Sequence, residues 1–329
     1  MAARHVTVLA GGYGGAKLSH GIALASEAAV RAGQAPIELS IVANTGDDLE
    51  LHGMSVSPDL DTLLYTLAGL ANEQTGWGVR DETWSSAAML ARLGAPTWFQ
   101  LGDRDLGLNL WRTARLREGQ RLTDVTAGLV AAMGVSARLL PATDSAVRTE
   151  LLTEDGWLEF QEYFVHRHHA VPVMGLRYRG AETAQPTAEV LEAIATADLL
   201  VIAPSNPFLS IGTILAVPGI ADALRSAPAR VVAVSPIVGG LALRGPADRL
   251  FETLGGSASA LGVGRHYQEH APGLMDALVI DTQDADAAAS IAALGLEVMV
   301  TGIVMRDHAD RERLAGTLLD HWLPSHATG

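Results

Sequence analysis

Apolar runs of about five residues alternate with longer segments in which apolar residues recur every three or four positions. The short runs have the length of buried parallel strands, and the longer segments have helical spacing. This alternation predicts an α/β fold with a mostly parallel sheet. The predicted strands are His5–Ala10, Leu39–Ala43, Thr97–Leu101, Asp198–Ala203, Arg230–Ser235, Ala277–Asp281 and Glu297–Thr301. The predicted helices are Leu18–Ala28, one opened by Pro58, one running to about Leu93, Asn109–Leu116, Leu122–Met133, Ala188–Thr196, one starting at Ala247, and Arg311–Trp322.

This alternation of strand-like and helix-like segments stops between about residues 139 and 178. Shorter alternating runs, such as Thr149–Thr153 and Leu158–Val165, predict a small strand-rich lobe there. Four residues of the lobe, His166–His169, include three histidines. Because neighbouring residues on a strand point to opposite faces, they predict a solvated basic edge that touches an anionic substrate rather than a metal site. We find no repeat or linker and therefore expect one α/β domain, residues 1–329, with the lobe embedded in it.

Composition and charge narrow the class of protein. The chain has 329 residues, of which 48% are hydrophobic and 18% charged, which is ample for a large core. It has no cysteine, so a metal site must use oxygen or imidazole ligands. Neither a long apolar span nor a signal-like N-terminal segment is recognisable, and we expect a cytoplasmic protein. A net charge of −14 argues against nucleic-acid binding, and it means that an anionic ligand needs a metal, backbone N–H groups or well-placed arginines.

A stretch of acidic residues, Asp47–Thr62, follows the predicted strand Leu39–Ala43 directly. Its four aspartates are Asp47, Asp48, Asp59 and Asp61. Loops that leave the carboxyl ends of parallel strands line the ligand crevice of open α/β sheets, so we expect these carboxylates to cluster there. Hard oxygen ligands beside a helix N-terminus suit Mg²⁺, which binds through one or two carboxylates and substrate phosphates. The alternative is that these residues are helix caps and solvated loop charges.

A glycine-rich turn, Gly11–Lys17, connects the first predicted strand to the first predicted helix. This geometry favours phosphate at the helix N-terminus. The turn fits neither standard fingerprint, because Lys17 stands where a dinucleotide motif needs Gly or Ala, and Ala16-Lys17-Leu18 stands where a Walker loop needs Gly-Lys-Ser/Thr. We predict a phosphate loop of neither type, and the alternative is a tight turn whose glycines only permit close packing.

Further polar and aromatic residues follow other predicted strands and helices. Trp77 and Trp84 flank a glycine-bounded loop and offer an aromatic wall for a flat ligand, although core packing is the more frequent role of such residues. Gln100 ends a predicted strand. The loops Pro204–Gly212 and Pro236–Gly240 follow two later strands, and they predict two walls of a nucleotide pocket.

Six short motifs then occur in an order that resembles one family, the 2-phospho-L-lactate transferases of coenzyme F-420 biosynthesis, and the actinobacterial members in particular. The motifs are Gly11–Lys17, Asn44–Asp48, Ser57–Thr62, Leu101–Leu106, Pro204–Pro207 and Ser235–Gly240. The resemblance covers essentially the whole chain. It implies a Rossmann-like fold and transfer of a phospholactate-type unit from a GDP-activated donor to the ribityl hydroxyl of the deazaflavin Fo. It also implies release of GMP and a requirement for Mg²⁺.

The resemblance and the residue chemistry together assign roles to individual residues. Asp48 and Asp61 are predicted to bind Mg²⁺, with Asp61 also acting as orienter or general base and Asp59 as a reserve ligand. The donor's phosphates and guanosine are assigned to Gly12, Gly14, Gly15, Lys17, Asn44, Ser205, Asn206, Ser235 and Gly239. The deazaflavin is assigned to Trp84 and Gln100.

One departure from the family pattern concerns a cation. Several members carry Gly-Gly-Lys where this chain has Gly239-Gly240-Leu241, and Arg244 is the nearby candidate to replace that lysine. The transferred acid is left open among 2-phospholactate, phosphoenolpyruvate and 3-phosphoglycerate. Two other functions also stay open: a non-catalytic nucleotide-binding regulator and an NAD(P)-dependent oxidoreductase. A homodimer is the default expectation for an enzyme of this size.

Overall fold

A parallel sheet of seven strands forms the centre of the computed structural model, which describes residues 3–169, 171–243, 245–254 and 256–323. The strands are β1 Arg4–Ala10, β2 Ile37–Ala43, β3 Leu49–Leu51, β4 Met54–Val56, β5 Arg138–Pro141, β6 Arg148–Thr153, β7 Gly156–Glu159, β8 Gly175–Arg179, β9 Leu199–Ile202, β10 Arg230–Val234, β11 Ile237–Val238, β12 Leu241–Ala242, β13 Ala277–Ile280 and β14 Glu297–Val300. The helices are α1 Gly12–Arg31, α2 Pro58–Leu67, α3 Ser85–Arg92, α4 Asp103–Arg117, α5 Leu122–Ala132, α6 Ala188–Ala195, α7 Gly212–Ala216, α8 Ile220–Ser226, α9 Ala247–Thr253, α10 Ala260–His270, α11 Ala288–Ala292 and α12 His308–Trp322.

The strand order of the central sheet is β14-β13-β10-β9-β1-β2-β5, and every neighbouring pair is parallel. The chain builds the sheet outward from β1 through β2 to β5, then returns to the other side of β1 and continues from β9 to β14. Such a reversal leaves a crevice at the carboxyl ends of the two strands that flank it, here β1 and β9. The predicted α/β fold with a Rossmann-like, mostly parallel sheet is therefore confirmed.

Both faces of the central sheet are covered, which explains why its strands are continuous apolar runs rather than alternating ones. In β9, Leu200 and Ile202 belong to the core on one side, and Leu199 and Val201 belong to the core on the other. All four side chains are at most 1% exposed. Parallel strands buried on two faces thus account for the clearest signal in the sequence.

Smaller sheets lie outside this centre. Strands β6–β8 form a three-stranded antiparallel sheet that corresponds to the predicted lobe, whereas β5, inside the predicted range of the lobe, pairs with β2 in the central sheet. The prediction of a strand at Thr97–Leu101 is wrong. Leu101 instead packs with the β3–β4 hairpin in a small separate core. The run Leu158–Val165 is only partly extended, since a π-helical turn at Glu162–His166 interrupts it.

No single helix among the described residues is long and apolar enough to cross a membrane. The segments Pro207–Ala216 and Ile220–Ser226 reach that length and hydropathy only when combined, and they are bent by 85° relative to each other.

Helix α1 packs against the C-terminal helix α12 through a glycine. An ideal Cβ on Gly21 would lie 2.3 Å from the backbone oxygen of Arg311, so the two helices approach too closely for any side chain there. Gly316, on α12, has no atom within 4 Å of its ideal Cβ. The two glycines are therefore a matched pair for testing this contact.

We expect Gly21→Ala to lower the free energy of unfolding by about 1–3 kcal/mol, because the added methyl group forces α1 and α12 apart. Gly316→Ala should raise it by about 0.5–1 kcal/mol, because alanine loses less backbone entropy in a helix and meets no neighbour. Urea denaturation of both variants measures the two effects. Equal changes would mean that the α1–α12 contact is not tight.

Candidate active site

A cavity of about 900 Å³ opens at the carboxyl ends of β1 and β9, the reversal point of the sheet. Gly11 and Gly14, after β1, and Pro204, Ser205 and Asn206, after β9, all line it. Three further groups of residues contribute to its lining: the acidic stretch, an aromatic wall, and the segment before α12. The sheet topology therefore brings the first glycine turn and the Pro-Ser-Asn-Pro loop to one site.

The glycine turn is tight, and helix α1 begins within it at Gly12. The Ser205 hydroxyl accepts a hydrogen bond from the Gly11 N–H (3.1 Å) and donates one to the Gly11 carbonyl (2.7 Å). An ideal Cβ on Gly14 would lie 2.4 Å from the Pro204 carbonyl, and one on Gly15 would lie 2.7 Å from the Ser205 hydroxyl. Close packing of the two loops thus requires these glycines, whatever ligand the turn also binds.

A carboxylate lies at the start of α1. Asp59 accepts a hydrogen bond from the backbone of Gly12 and another from the Asn44 amide, at 2.9 Å. The Asn44 side chain also accepts from the Gly46 N–H at 2.8 Å, so its orientation is fixed from both ends. Burial raises the pKa of Asp59 to about 6, against the lowering effect of both hydrogen bonds. Asn44 and Gly12 therefore hold Asp59, and neither is among the residues that line the cavity.

Two neighbouring aspartates have buried oxygen atoms without partners. Asp47 lines the cavity, and its Oδ1 has no hydrogen-bond partner. Burial raises the pKa of Asp47 well above its usual value, and the charge of Asp59 raises it further. Asp48 accepts from the Ser57 hydroxyl at 2.9 Å, while its Oδ1 is buried and unpartnered. Burial raises the pKa of Asp48 to about 7, although Arg148 and Ser57 oppose the shift.

Asp61 forms a buried ion pair with Arg112. Both terminal nitrogens of the guanidinium donate to the carboxylate, one bond being 3.1 Å to Oδ2, and Arg112 is 1% exposed. Burial raises the pKa of Asp61, and the attraction and hydrogen bonds of Arg112 oppose that shift. Asn109 accepts a further bond from Arg112 at 2.6 Å. Asp61 thus lies beside Asp48, close enough for the two charges to interact, and it is oriented by α4.

The acidic residues fit a hard divalent cation. In the described part of the chain no group of three or more acidic or histidine side chains converges as a complete metal site. Mg²⁺ does not need one, because it binds through one or two carboxylates and completes its shell with water and substrate phosphates. The unpartnered oxygens of Asp47 and Asp48 are ligands of this kind. The assignment of the metal to Asp48 and Asp61 stays a prediction.

The loops assigned to the nucleotide have different positions. Asn206 lines the cavity with a buried Nδ2 that has no partner, while its Oδ1 caps the turn at Phe208 (2.9 Å). Ser235 is buried and bonds within its own turn to Ile237, and the Gly239 N–H donates to Asp284 at 3.1 Å. Pro236, between them, reaches the cavity, but Ser235 and Gly239 do not.

The same loop contains the position at which several family members have a lysine. Leu241 is 66% exposed and does not line the cavity. Arg244, the predicted replacement, lies outside the described residues. Lys17 does line the cavity, and its ammonium group donates to the Met305 carbonyl at 2.6 Å.

An aromatic wall forms part of the cavity lining, and most of it carries no motif of its own in the sequence. Trp98, Phe160 and Phe164 line the cavity; Phe160 stacks on Phe164 with ring centroids 5.2 Å apart, and Phe164 stacks on His169 at 5.0 Å. His168 also lines the cavity, although no strand contains it, and the basic edge expected there stays a prediction. The density of aromatic residues between residues 157 and 164 is the available signal in the sequence.

A second cavity, of about 460 Å³, adjoins the first. Phe99 and Gln100 line both cavities, whereas Trp84 lines only the second and Trp77 only the first. The two indole rings meet edge to face with centroids 6.5 Å apart. Helix α3 covers the second cavity and has no buried residue of its own. Trp84 and Gln100 therefore line the same second cavity, and only Gln100 also lines the main cavity.

The raised pKa of Asp48 has a consequence for stability that can be measured. The folded state holds a proton on Asp48 up to a pH of about 7, whereas the unfolded chain releases it near 3.8, so the proton's contribution to stability is lost as the pH rises through this window. Asp48→Asn removes this titration. In EDTA, we expect the variant to gain about 1–3 kcal/mol of stability relative to wild type between about pH 4.5 and pH 8. Urea denaturation across this range tests it, and a pH-independent difference would contradict the shift.

Sequence and structure comparisons identify the family and the fold of the chain. Residues 6–301 match the family described as 2-phospho-L-lactate transferase CofD. A protein of Kitasatospora aureofaciens named phosphoenolpyruvate transferase is 42% identical over 95% of this chain and 96% of its own length. Proteins of the same name from Streptomyces coelicolor and Mycobacterium tuberculosis are each 42% identical, over 92% and 90% of this chain and 93% of their own lengths.

A solved structure shows the same fold at low sequence identity. A member of the UPF0052 family from Bacillus halodurans superposes with a TM-score of 0.65 over 97% of this chain and 99% of its own, at 17% identity. The match of the family over residues 6–301 and the identity of 42% over nearly complete chains decide the assignment. The chain is a transferase that belongs to the CofD family of coenzyme F420 biosynthesis.

Proposed function

We propose that the enzyme transfers a phosphoenolpyruvyl unit from a GDP-activated donor to the ribityl hydroxyl of Fo and releases GMP. The observation that carries the proposal is the combination of a buried carboxylate oxygen without a partner, that of Asp47, and an aromatic wall in one cavity at the reversal point of the sheet. Phosphate transfer chemistry needs charge neutralisation and positioning, and a flat heterocycle needs aromatic surface. The name of the actinobacterial relatives supports phosphoenolpyruvate among the three acids left open by the sequence.

The donor is proposed to lie along the loops after β1 and β9. Asn206 offers a buried amide nitrogen without a partner, which is a donor for a base or phosphate oxygen. Gly14 and Ser205 line the same side of the cavity. In this proposal Gly12, Gly15, Asn44, Ser235 and Gly239 shape the loops or fix Asp59 rather than touch the donor.

Asp48 and Asp61 are proposed to hold Mg²⁺ beside the main cavity, which their neighbours Asp47 and Asp59 line and they themselves do not. When bound, Mg²⁺ would neutralise charge on the transferring phosphate. Arg112 fixes both oxygens of Asp61, which favours the orienting role of this carboxylate over that of a general base. Removing the charge of Asp61 would leave Arg112 buried without a counter-charge, so Asp48 is the better position for probing the metal.

The acceptor Fo is proposed to contact the aromatic wall of the main cavity and to extend into the adjoining second cavity. Gln100 borders both, so its amide can contact the deazaflavin wherever the ring crosses between them. Trp84 and Trp77 lie on the two sides of this passage. Rings of this kind stack on exposed aromatic side chains, and the two indoles are 42% and 45% exposed.

The two other functions have weaker support. An NAD(P)-dependent oxidoreductase would need an acidic residue directly after β2 to bind the ribose, and that position holds Asn44, whose side chain is buried on Asp59. A regulator would bind nucleotide without turnover. A homodimer and a cytoplasmic location are further predictions.

Mass spectrometry of the product tests the reaction. The enzyme is incubated with Fo, GTP, a partner guanylyltransferase, Mg²⁺ and one phospho-acid at a time. We expect the mass of Fo to increase by a phosphoenolpyruvyl group with phosphoenolpyruvate, with GMP as the second product. A modified Fo formed only from 2-phospholactate or 3-phosphoglycerate would reassign the acid. Nucleotide binding without any modified Fo would support the regulator.

Mg²⁺ should be needed for donor binding and not only for the chemical step. Asp47 and Asp59 line the cavity and repel a diphosphate when they are ionised, and low-dielectric walls strengthen this repulsion. We expect GDP affinity to fall at least about tenfold when EDTA replaces Mg²⁺, while Fo, which has no phosphate, should change little. Calorimetric titration of both ligands measures this. Equal GDP affinity in both buffers would show that protein groups alone neutralise the phosphates.

A further inference from the structure

The segment between β14 and α12, Thr301–Asp307, runs along the main cavity without forming a strand or a helix. Three consecutive residues of this segment, Val304, Met305 and Arg306, line the cavity. We call Thr301–Asp307 the strap. None of the sequence motifs described above includes a residue of the strap.

Side chains from three other elements fix the strap in place. Asp281, after β13, accepts from the Ile303 N–H at 2.9 Å, and Asp310, in α12, accepts from the Arg306 N–H at 3.1 Å. Lys17 of α1 donates to the Met305 carbonyl, as described above. Arg313 of α12 donates to the Gly302 carbonyl at 2.8 Å. The strap therefore holds its side chains at the cavity although it has no regular secondary structure.

Arg306 is one of two Lys or Arg side chains among the described residues that line the cavity, the other being Lys17. Its Nε is paired with Asp310 at 2.9 Å, and its two terminal nitrogens make no hydrogen bond to any described residue. The side chain is 78% exposed, so it can turn toward a ligand without a large cost in desolvation. The acidic residues Asp47 and Asp59 line the same cavity and need an opposing positive charge when an anion binds.

We propose that Arg306 binds the diphosphate of the GDP-activated donor. The contact of Lys17 with Met305 places the strap beside α1, whose first turn lies at the glycine loop where the donor's phosphates are proposed to bind. A guanidinium matches a phosphate through two parallel hydrogen bonds, which an ammonium group does not provide. The inference rests on the proposed function for the identity of the donor, but not for the anion chemistry.

The test compares the full-length wild type with Arg306→Gln in the same Mg²⁺ buffer, using GDP, guanosine and inorganic pyrophosphate as calorimetric probes. We expect Arg306→Gln to weaken GDP and pyrophosphate binding by about tenfold and to leave guanosine unchanged. Arg306→Lys should recover part of the loss. The difference between wild type and Arg306→Gln should shrink in high salt, because this charge contact is exposed to solvent.

Arg313→Gln is the matched control. Arg313 also contacts Asp310 and the strap, but it does not line the cavity, so a purely structural role of the strap predicts the same loss in both variants. Equal affinity of wild type and Arg306→Gln for pyrophosphate and GDP, or an equal loss in Arg313→Gln, would overturn the proposal. Wild type that binds pyrophosphate but not GDP would instead refute the guanosine donor, and a pyrophosphate loss in Arg306→Gln would still support the arginine.

Discussion

The burial of several carboxylates at one point is the constraint on which the site depends. Burying a charge is costly unless it is paired, and here one buried guanidinium, Arg112, pairs with Asp61 while Asp47 and Asp48 keep unpartnered oxygens. The chain offsets this cost partly by protonation, since burial raises the pKa of these carboxyls. The carboxylates stay together because β2, α2 and α4 all meet at this arrangement. A site that is unfavourable when empty is poised to bind a cation.

The position of this charge cluster follows from the order of the strands. β1 and β9 are adjacent in the sheet although nearly 190 residues separate them in the chain, and both end at the cavity. Ser205 joins their two loops by hydrogen bonds to both backbone groups of Gly11. The glycines of the first turn are then needed for the approach of the two loops. Because they leave room for the second loop, these glycines fit a packing turn as well as a phosphate loop.

Much of the fold could be predicted from the sequence, because parallel strands buried on both faces are apolar over their whole length, as β9 is. The same criterion failed at Thr97–Leu101, since an apolar run can also pack on a separate hairpin without pairing as a strand. The carboxylates and the Pro-Ser-Asn-Pro loop could be found because they follow strand ends. Arg112 could not, because its role depends on a contact between distant segments, and the aromatic wall leaves only the density of aromatic residues between residues 157 and 164 as a signal in the sequence.

The distribution of charged groups within the cavity explains how a protein with a net charge of −14 can be expected to bind anionic ligands. The cavity does not carry a uniform field, since its buried carboxylates lie after β2 and at the start of α2, while Arg306 belongs to the strap and Lys17, on α1, contacts the strap. An anion and a divalent cation that bind between these groups each reduce the repulsion that the other experiences, so their affinities must be coupled reciprocally. Aromatic surface, which is insensitive to this coupling, also lines the cavity. Charged groups and aromatic surface in one cavity are therefore a physical basis for recognising the proposed charged donor and the proposed flat acceptor by different interactions.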